Sequence, residues 1–164
     1  MSFVSSGKLR RRFMKVILAT DGTKYGKAAT KMVAKLNLGE GDAVTVISVV
    51  DMAVPLVTDI YGGYLPDTSE IEKYAKENAA TVIETSKASL ASAFEDKKVE
   101  ISGEVQFGSP GSRIVETAEQ IGADLIVVGS HGYKQWERIL LGSVSSSVVH
   151  HAPCSVLVVR IPAE

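Results

Sequence analysis

The chain has 164 residues, 45% of them hydrophobic and 23% charged, which suits one core burying roughly two-thirds of the unfolded surface and argues against a wholly disordered chain or a small disulfide scaffold. A formal charge of −1 argues against nucleic acid as the main partner, since a duplex-binding surface normally carries a basic excess. The one cysteine, Cys154, excludes an internal disulfide, and no apolar run reaches the ~20 residues of a membrane span or forms a secretory core, so a soluble, cytoplasmic protein is expected.

Residues 1–13 stand apart: Ser2, Ser5, Ser6 and Gly7 lead into Lys8, Arg10, Arg11 and Arg12, a basic extension read as a disordered or loosely docked terminus, the alternative being contact with phosphate or an acidic surface. Met14 opens the patterned segment and is a candidate native start, and 14–164 reads as a single domain. Met14 to Thr20 is a buried strand closed by Asp21-Gly22. Thr23 caps a helix striped by Tyr25, Ala28, Ala29, Met32, Val33 and Leu36 and stopped by Gly39 and Gly41. Ala43 to Val50 is a second apolar strand ending at Asp51, so the two strands pair in parallel through a right-handed crossover.

Residues 52–68 lack periodicity and hold Pro55, Gly62, Gly63 and Pro66, as a lid, a partner surface or a merely mobile loop would. A long amphipathic helix then runs from Ser69 to Phe94, with Ile71, Ala75, Ala79, Val82, Leu90 and Ala93 on its apolar face. Val99, Ile101, Val105 and Phe107 mark a half-exposed third strand up to Gly108. Ser109-Pro110 starts a helix carrying Ile114, Val115, Ala118 and Ile121 to Gly122. Asp124 to Val128 is the fourth strand. A helix from Ser143 to His151 turns Val144, Val148 and Val149 inward, and Ser155 to Val159 is the fifth strand. Apolar strands alternating with amphipathic helices predict an α/β fold, a parallel sheet covered on both faces. Ligands of such sheets sit beyond the strands' carboxyl ends, where strand order reverses.

The stretch at the end of the fourth strand carries the chemistry. Val128-Gly129-Ser130-His131-Gly132 is followed, after nine residues, by Gly142-Ser143-Val144-Ser145. A buried strand delivers glycines to a turn, and a helix N-terminus adds unpaired donors and partial positive charge, the layout of an anion site. Phosphate oxygens would accept bonds from the amides of Gly132, Gly142, Ser143 and Val144 and from the hydroxyls of Ser143 and Ser145, with Lys134 and Arg138 adding charge. Each such bond contributes about 1.5–3 kcal/mol. Thr20-Asp21-Gly22, at the end of the first strand, would face this turn across one crevice. The competing reading gives the glycines only tight turns to form.

Other motifs carry less. Gly22 to Lys27 imitates a Walker loop, but three residues rather than four separate its glycines, and Ala28 stands where a hydroxyl must hold magnesium. No Gly-x-Gly-x-x-Gly follows a strand, and His150 and His151, adjacent on a helix, cannot share a face, so no metal-ligand set is read. Cys154 reads as a small core residue.

Val-Val-Gly129-Ser-His-Gly132, nine residues, Gly142-Ser143, and Ala-Pro-Cys-Ser-Val-Leu-Val-Val near the C-terminus resemble the universal stress protein family, as does Ile-Leu-Ala-Thr-Asp21-Gly-Thr. The resemblance spans Met14 to Arg160 and points to the family's ATP-binding branch. It implies a Rossmann-like fold with a five-stranded parallel sheet, strand order 3-2-1-4-5, and ATP held at the glycine motif with magnesium or manganese on the phosphates. It also brings Ala19, Thr20, Asp21 and Val49 into the pocket, Ala19 standing where proline or valine is frequent. The basic extension lies outside the family pattern. A carboxylate facing phosphates would repel them, so Asp21 is expected to meet sugar or base donors, while Val49 offers an apolar wall and backbone bonds to adenine.

The last strand is apolar and lies at a sheet edge, a template for pairing. There the resemblance implies a homodimer. No general base stands beside a positioned nucleophile, and no arginine has the context of a transition-state finger. Three readings stay open: an ATP-binding regulatory or stress-response module with at most slow hydrolysis, an ATP-dependent adenylyl-transferring enzyme, and a nucleotide-free structural dimer.

Overall fold

The computed structural model describes residues 12–51, 69–132 and 141–161. The readings placed on residues 1–11, on the 52–68 connection and on Lys134 and Arg138 fall outside them. In chain order the elements are β1 (Lys15–Ala19), α1 (Lys24–Val33), β2 (Ala43–Val50), α2 (Ser69–Ala93), β3 (Glu100–Phe107), α3 (Pro110–Ile121), β4 (Leu125–Gly129), α4 (Ser143–His151) and β5 (Ser155–Val159). All strand pairs are parallel, in the order β3-β2-β1-β4-β5, as expected. The order reverses at β1, which opens the crevice between β1 and β4.

Alternation along the strands divides the core. Val16, Leu18, Val44, Val46 and Val127 point to one face, where Ala29 and Val33 of α1 and Ile83 and Leu90 of α2 cover them. Ile17, Ala19, Ile47, Ile126 and Val128 point to the other, beneath Ile114 and Ala118 of α3 and Val148 of α4. Both faces being covered explains why β1, β2 and β4 read as largely apolar runs, interrupted only by Lys15 at the start of β1 and by Thr45 and Ser48 in β2. Cys154 packs partly buried on the second cluster; burial, and then the charge of Asp124, raise its thiol pKa and keep it protonated at neutral pH.

The helices differ from expectation in three places. The buried line of α2 is Ala79, Ile83, Ser86 and Leu90, whereas Ile71 is 64% exposed and Ala93 is exposed. At 25 residues α2 is about 37 Å long, and the eight-residue strands it crosses span about 26 Å. Its first turns therefore run past the sheet, with no strand beneath Ile71. Val149, expected inward, is 44% exposed, while Val148 is buried in the second cluster and Val144 packs partly buried against it. And α1 ends at Val33 rather than near Gly39: amides of Lys35 and Leu36 bond back to Met32 and Val33 in a tightened turn that lets Leu38, 3% exposed, enter the core.

The amino ends of the strands are closed by two carboxylates. Asp42, 1% exposed, accepts the amides of Met14 and Gly39, each at 2.8 Å. Asp124 accepts the Lys15 amide at 3.0 Å and pairs with Arg12 at 3.1 Å. Arg12 thus contacts the fold, and the Phe13 ring lies where a methyl on Gly41 would sit, although both residues read as part of the extension.

Candidate functional site

At the opposite, carboxyl ends of the strands lies a cavity of about 430 Å³, within the ~300–1,000 Å³ of small-molecule sites. Ala19, Thr20 and Asp21 from β1 and the turn after it, Val49 from β2, Val128 and Gly129 from β4, His131 and Gly132 beyond it, and Gly142, Ser143, Val144 and Ser145 opening α4 all line it. Ser130 does not. It is 2% exposed and works from behind the wall: its carbonyl accepts the Gly142 amide at 2.7 Å and the Ser145 hydroxyl at 3.0 Å, tying the turn to the start of α4.

That tie corrects part of the donor set read from sequence. The Gly142 amide and the Ser145 hydroxyl proton close the turn, the hydroxyl also lying 3.1 Å from the Gly142 carbonyl. The first bond within α4 runs from the Ser146 amide to the Gly142 carbonyl at 2.9 Å, so the amides of Ser143, Val144 and Ser145, residues that line the cavity, precede the helical ladder.

Gly129, read as a turn residue, is the last residue of β4 and pairs with Val159. A Cβ there would lie 2.8 Å from the carbonyl carbon and from the Cβ of Tyr25, so its hydrogen admits α1 to close contact with the sheet. A Cβ on Gly132 would lie 2.9 Å from Asp21 Oδ2, which places this glycine directly across the crevice from the carboxylate. The other oxygen, Oδ1, accepts the amide of Thr23 at 3.0 Å and its hydroxyl at 2.7 Å, and Thr23 in turn caps α1 at Gly26. Gly26 is a buried helical residue against Thr20, with none of the geometry of a phosphate loop. The His131 ring rests 5.2 Å from that of Tyr25, with Nδ1 3.1 Å from the Ser130 hydroxyl.

Charge at the cavity is mixed: Asp21 and Asp51 line it and no Lys or Arg among the described residues does, while the helix ends offer partial positive charge. α1, α3 and α4, which open onto the cavity, have no acidic residue in their first turns, whereas α2 has Glu70 and Glu72. Three positive helix ends are therefore left uncompensated by their own helices. No group of three or more His, Cys, Asp or Glu among the described residues is placed to hold a metal ion.

Sequence reasoning missed Ser48 and Asp51 beside Val49, Ala75 and Asn78 on α2, and Pro110 and Ile114 on α3. The pairing of Ala19 with Ile47 signals the first two, since it sets the end of β2 level with Thr20 and Asp21. Nothing local signals those on α2 and α3, which arrive by helix packing.

Comparisons with known proteins agree on one family. The family model described as "Universal stress protein family" matches residues 12–160. Universal stress protein Sll1388 of Synechocystis sp. is 30% identical over 149 residues, 89% of this chain and 97% of its own. A solved universal stress protein in complex with cAMP has a TM-score of 0.57 at 22% identity, over 90% of this chain and 97% of its own. A universal stress protein family member from Arabidopsis thaliana with AMP bound has 0.63 at 17%, over 92% and 93%. At those identities the likeness is one of fold.

Proposed function

The chain belongs to the universal stress protein family, and from that premise we propose that it is an ATP-binding regulatory or stress-response module acting in the cytoplasm. The observation that carries the reading is the single cavity shared by the ends of β1, β2 and β4 and the start of α4, with amide donors and acid-free helix ends around it. That relatives of the same fold hold AMP and cAMP supports an adenine nucleotide as the ligand class.

In this reading the amides of Ser143, Val144 and Ser145 hold phosphate oxygens, Asp21 accepts from ribose hydroxyls, and the Val49 backbone meets the adenine edge between apolar walls. Magnesium or manganese rides on the phosphates, since the described residues supply no metal-ligand set of their own. Binding rather than turnover is the activity proposed: the Ser130–His131 contact resembles a base and nucleophile, but its hydroxyl is buried outside the cavity wall.

At a hundredfold excess over Kd, Mg-ATP should add about 2.7 kcal/mol, a rise in Tm on the order of 5–10 °C for a chain of this size. Gly132→Val places carbon against Asp21 and should abolish that shift, each protein being compared with its own ligand-free form. Equal shifts in wild type and variant would place the nucleotide elsewhere, and no shift in either would refute the reading.

We propose also that β5, at one edge of the sheet, pairs with its copy in a homodimer. Its Val156, Leu157 and Val158 are only partly buried. Val158→Lys is expected to elute as a monomer on size exclusion; an intact dimer would put the interface on another face.

A further inference from the structure

A second surface starts at the rim of the cavity. Lys24, Lys27 and Lys31 of α1, and Lys35 in the turn that follows, recur at intervals of three and four residues. They therefore share one side of the helix, one charge per turn over about 16 Å. All four are exposed. None of their ammonium groups takes part in an ion pair or hydrogen bond among the described residues, where the ion pairs use Arg12, Lys87, Lys98 and Arg113. Lys24 alone has a further contact, its Nζ 5.2 Å from the centre of the Tyr25 ring.

This ladder works against the helix that carries it. α1 contains no acidic residue, so Lys24 meets the positive end of the helix dipole. Lys27 and Lys31, and Lys31 and Lys35, are like charges at the spacing where opposite charges stabilise a helix. Nor does the chain have cations to spare: apart from these four, 14 basic residues face 19 acidic ones.

We propose that the ladder docks an acidic segment of a partner protein, a helix presenting one carboxylate per turn. Such a helix matches the spacing and is narrow enough to avoid the acidic remainder of the surface. A DNA duplex fits less well, since four lysines in single file meet only a few phosphates of one strand and the chain as a whole carries a formal charge of −1. For a membrane, no exposed large hydrophobic side chain of α1 stands beside the ladder to enter lipid.

The test is fluorescence anisotropy with a fluorescein-labelled, alanine-rich helical peptide bearing one glutamate per turn, titrated with the full chain at low ionic strength. Saturable binding that weakens with salt is expected. Lys24→Glu/Lys31→Glu, which alternates the charges along α1, should weaken it by about tenfold or more while Tm holds or rises. The neutral pair Lys24→Gln/Lys31→Gln should show a smaller loss in the same direction, and it serves alone if the reversed variant does not fold. The proposal is overturned by absent binding, by variants that bind as wild type does, or by equal binding of the peptide with glutamine in place of glutamate. Tighter binding to a DNA duplex of similar length, or to phosphatidylserine vesicles, overturns it as well.

Discussion

Gly129→Ala should lower stability by about 2–3 kcal/mol in urea denaturation, the cost of overpacking where the neighbour cannot yield. The new methyl would sit 2.8 Å from the Tyr25 carbonyl carbon and 2.9 Å from its oxygen. These are backbone atoms with no rotamer to change, so α1 must lift from β4, withdrawing the fully buried Ala29 and Val33 from the core. The same shift would carry Gly26 and the Thr23 cap away from Asp21 and open the cavity at that corner. Gly122→Ala is the control. Gly122 ends α3 at a φ of 62° with nothing within 4 Å of the added carbon, so it costs only the left-handed backbone, about 1 kcal/mol. If Gly122→Ala proved the more harmful, close seating of α1 would not be what Gly129 provides.

Asp42→Ala should cost more, about 3–5 kcal/mol, because it removes two charge-assisted bonds of ~1.5–3 kcal/mol each and strands their donors. The side chain is 1% exposed, and its two oxygens serve different segments, Met14 ahead of β1 and Gly39 ahead of β2. Its backbone adds two more ties, the amide to Gly39 at 2.9 Å and the carbonyl to the Glu100 amide at 3.0 Å, so three strands start from this residue. Asp42→Asn is isosteric but should also fail substantially, since its NH₂ would face an amide donor. A midpoint within about 0.5 kcal/mol of wild type, the range of ordinary surface changes, would show that neither bond supports the fold.

Much of this was legible in the chain, for reasons that differ by element. β1, β2 and β4 are buried on both faces, so their apolar runs stand out, but runs apolar on both faces do not set the register between neighbours. Strand order came by resemblance to a family, and the crossovers agree with it. The stripe on α2 misled at Ile71 because periodicity records which residues share a side and not how far the sheet extends beneath them. Gly129 misled for a related reason: a glycine needed for a bend and one needed for close approach look alike in a sequence. At the candidate site, residues contiguous with β4 and α4 were readable from strand-glycine-helix order, and Asp21 from the rule that strand ends converge. Asn78, Pro110 and Ile114 were not, since helix packing sets their place. Nor was the direction of the Gly142 amide, which depends on a loop closure to Ser130.

The all-parallel sheet divides labour between its two ends. Every strand enters at the end held by Asp42 and Asp124 and leaves at the end that holds the cavity. Closure is concentrated at one pole and chemistry at the other, separated by the full length of the strands. In the proposed reading, substitutions around the cavity would retune ligand preference while the opposite pole keeps the scaffold intact, so that preference could drift in evolution on an unchanged foundation.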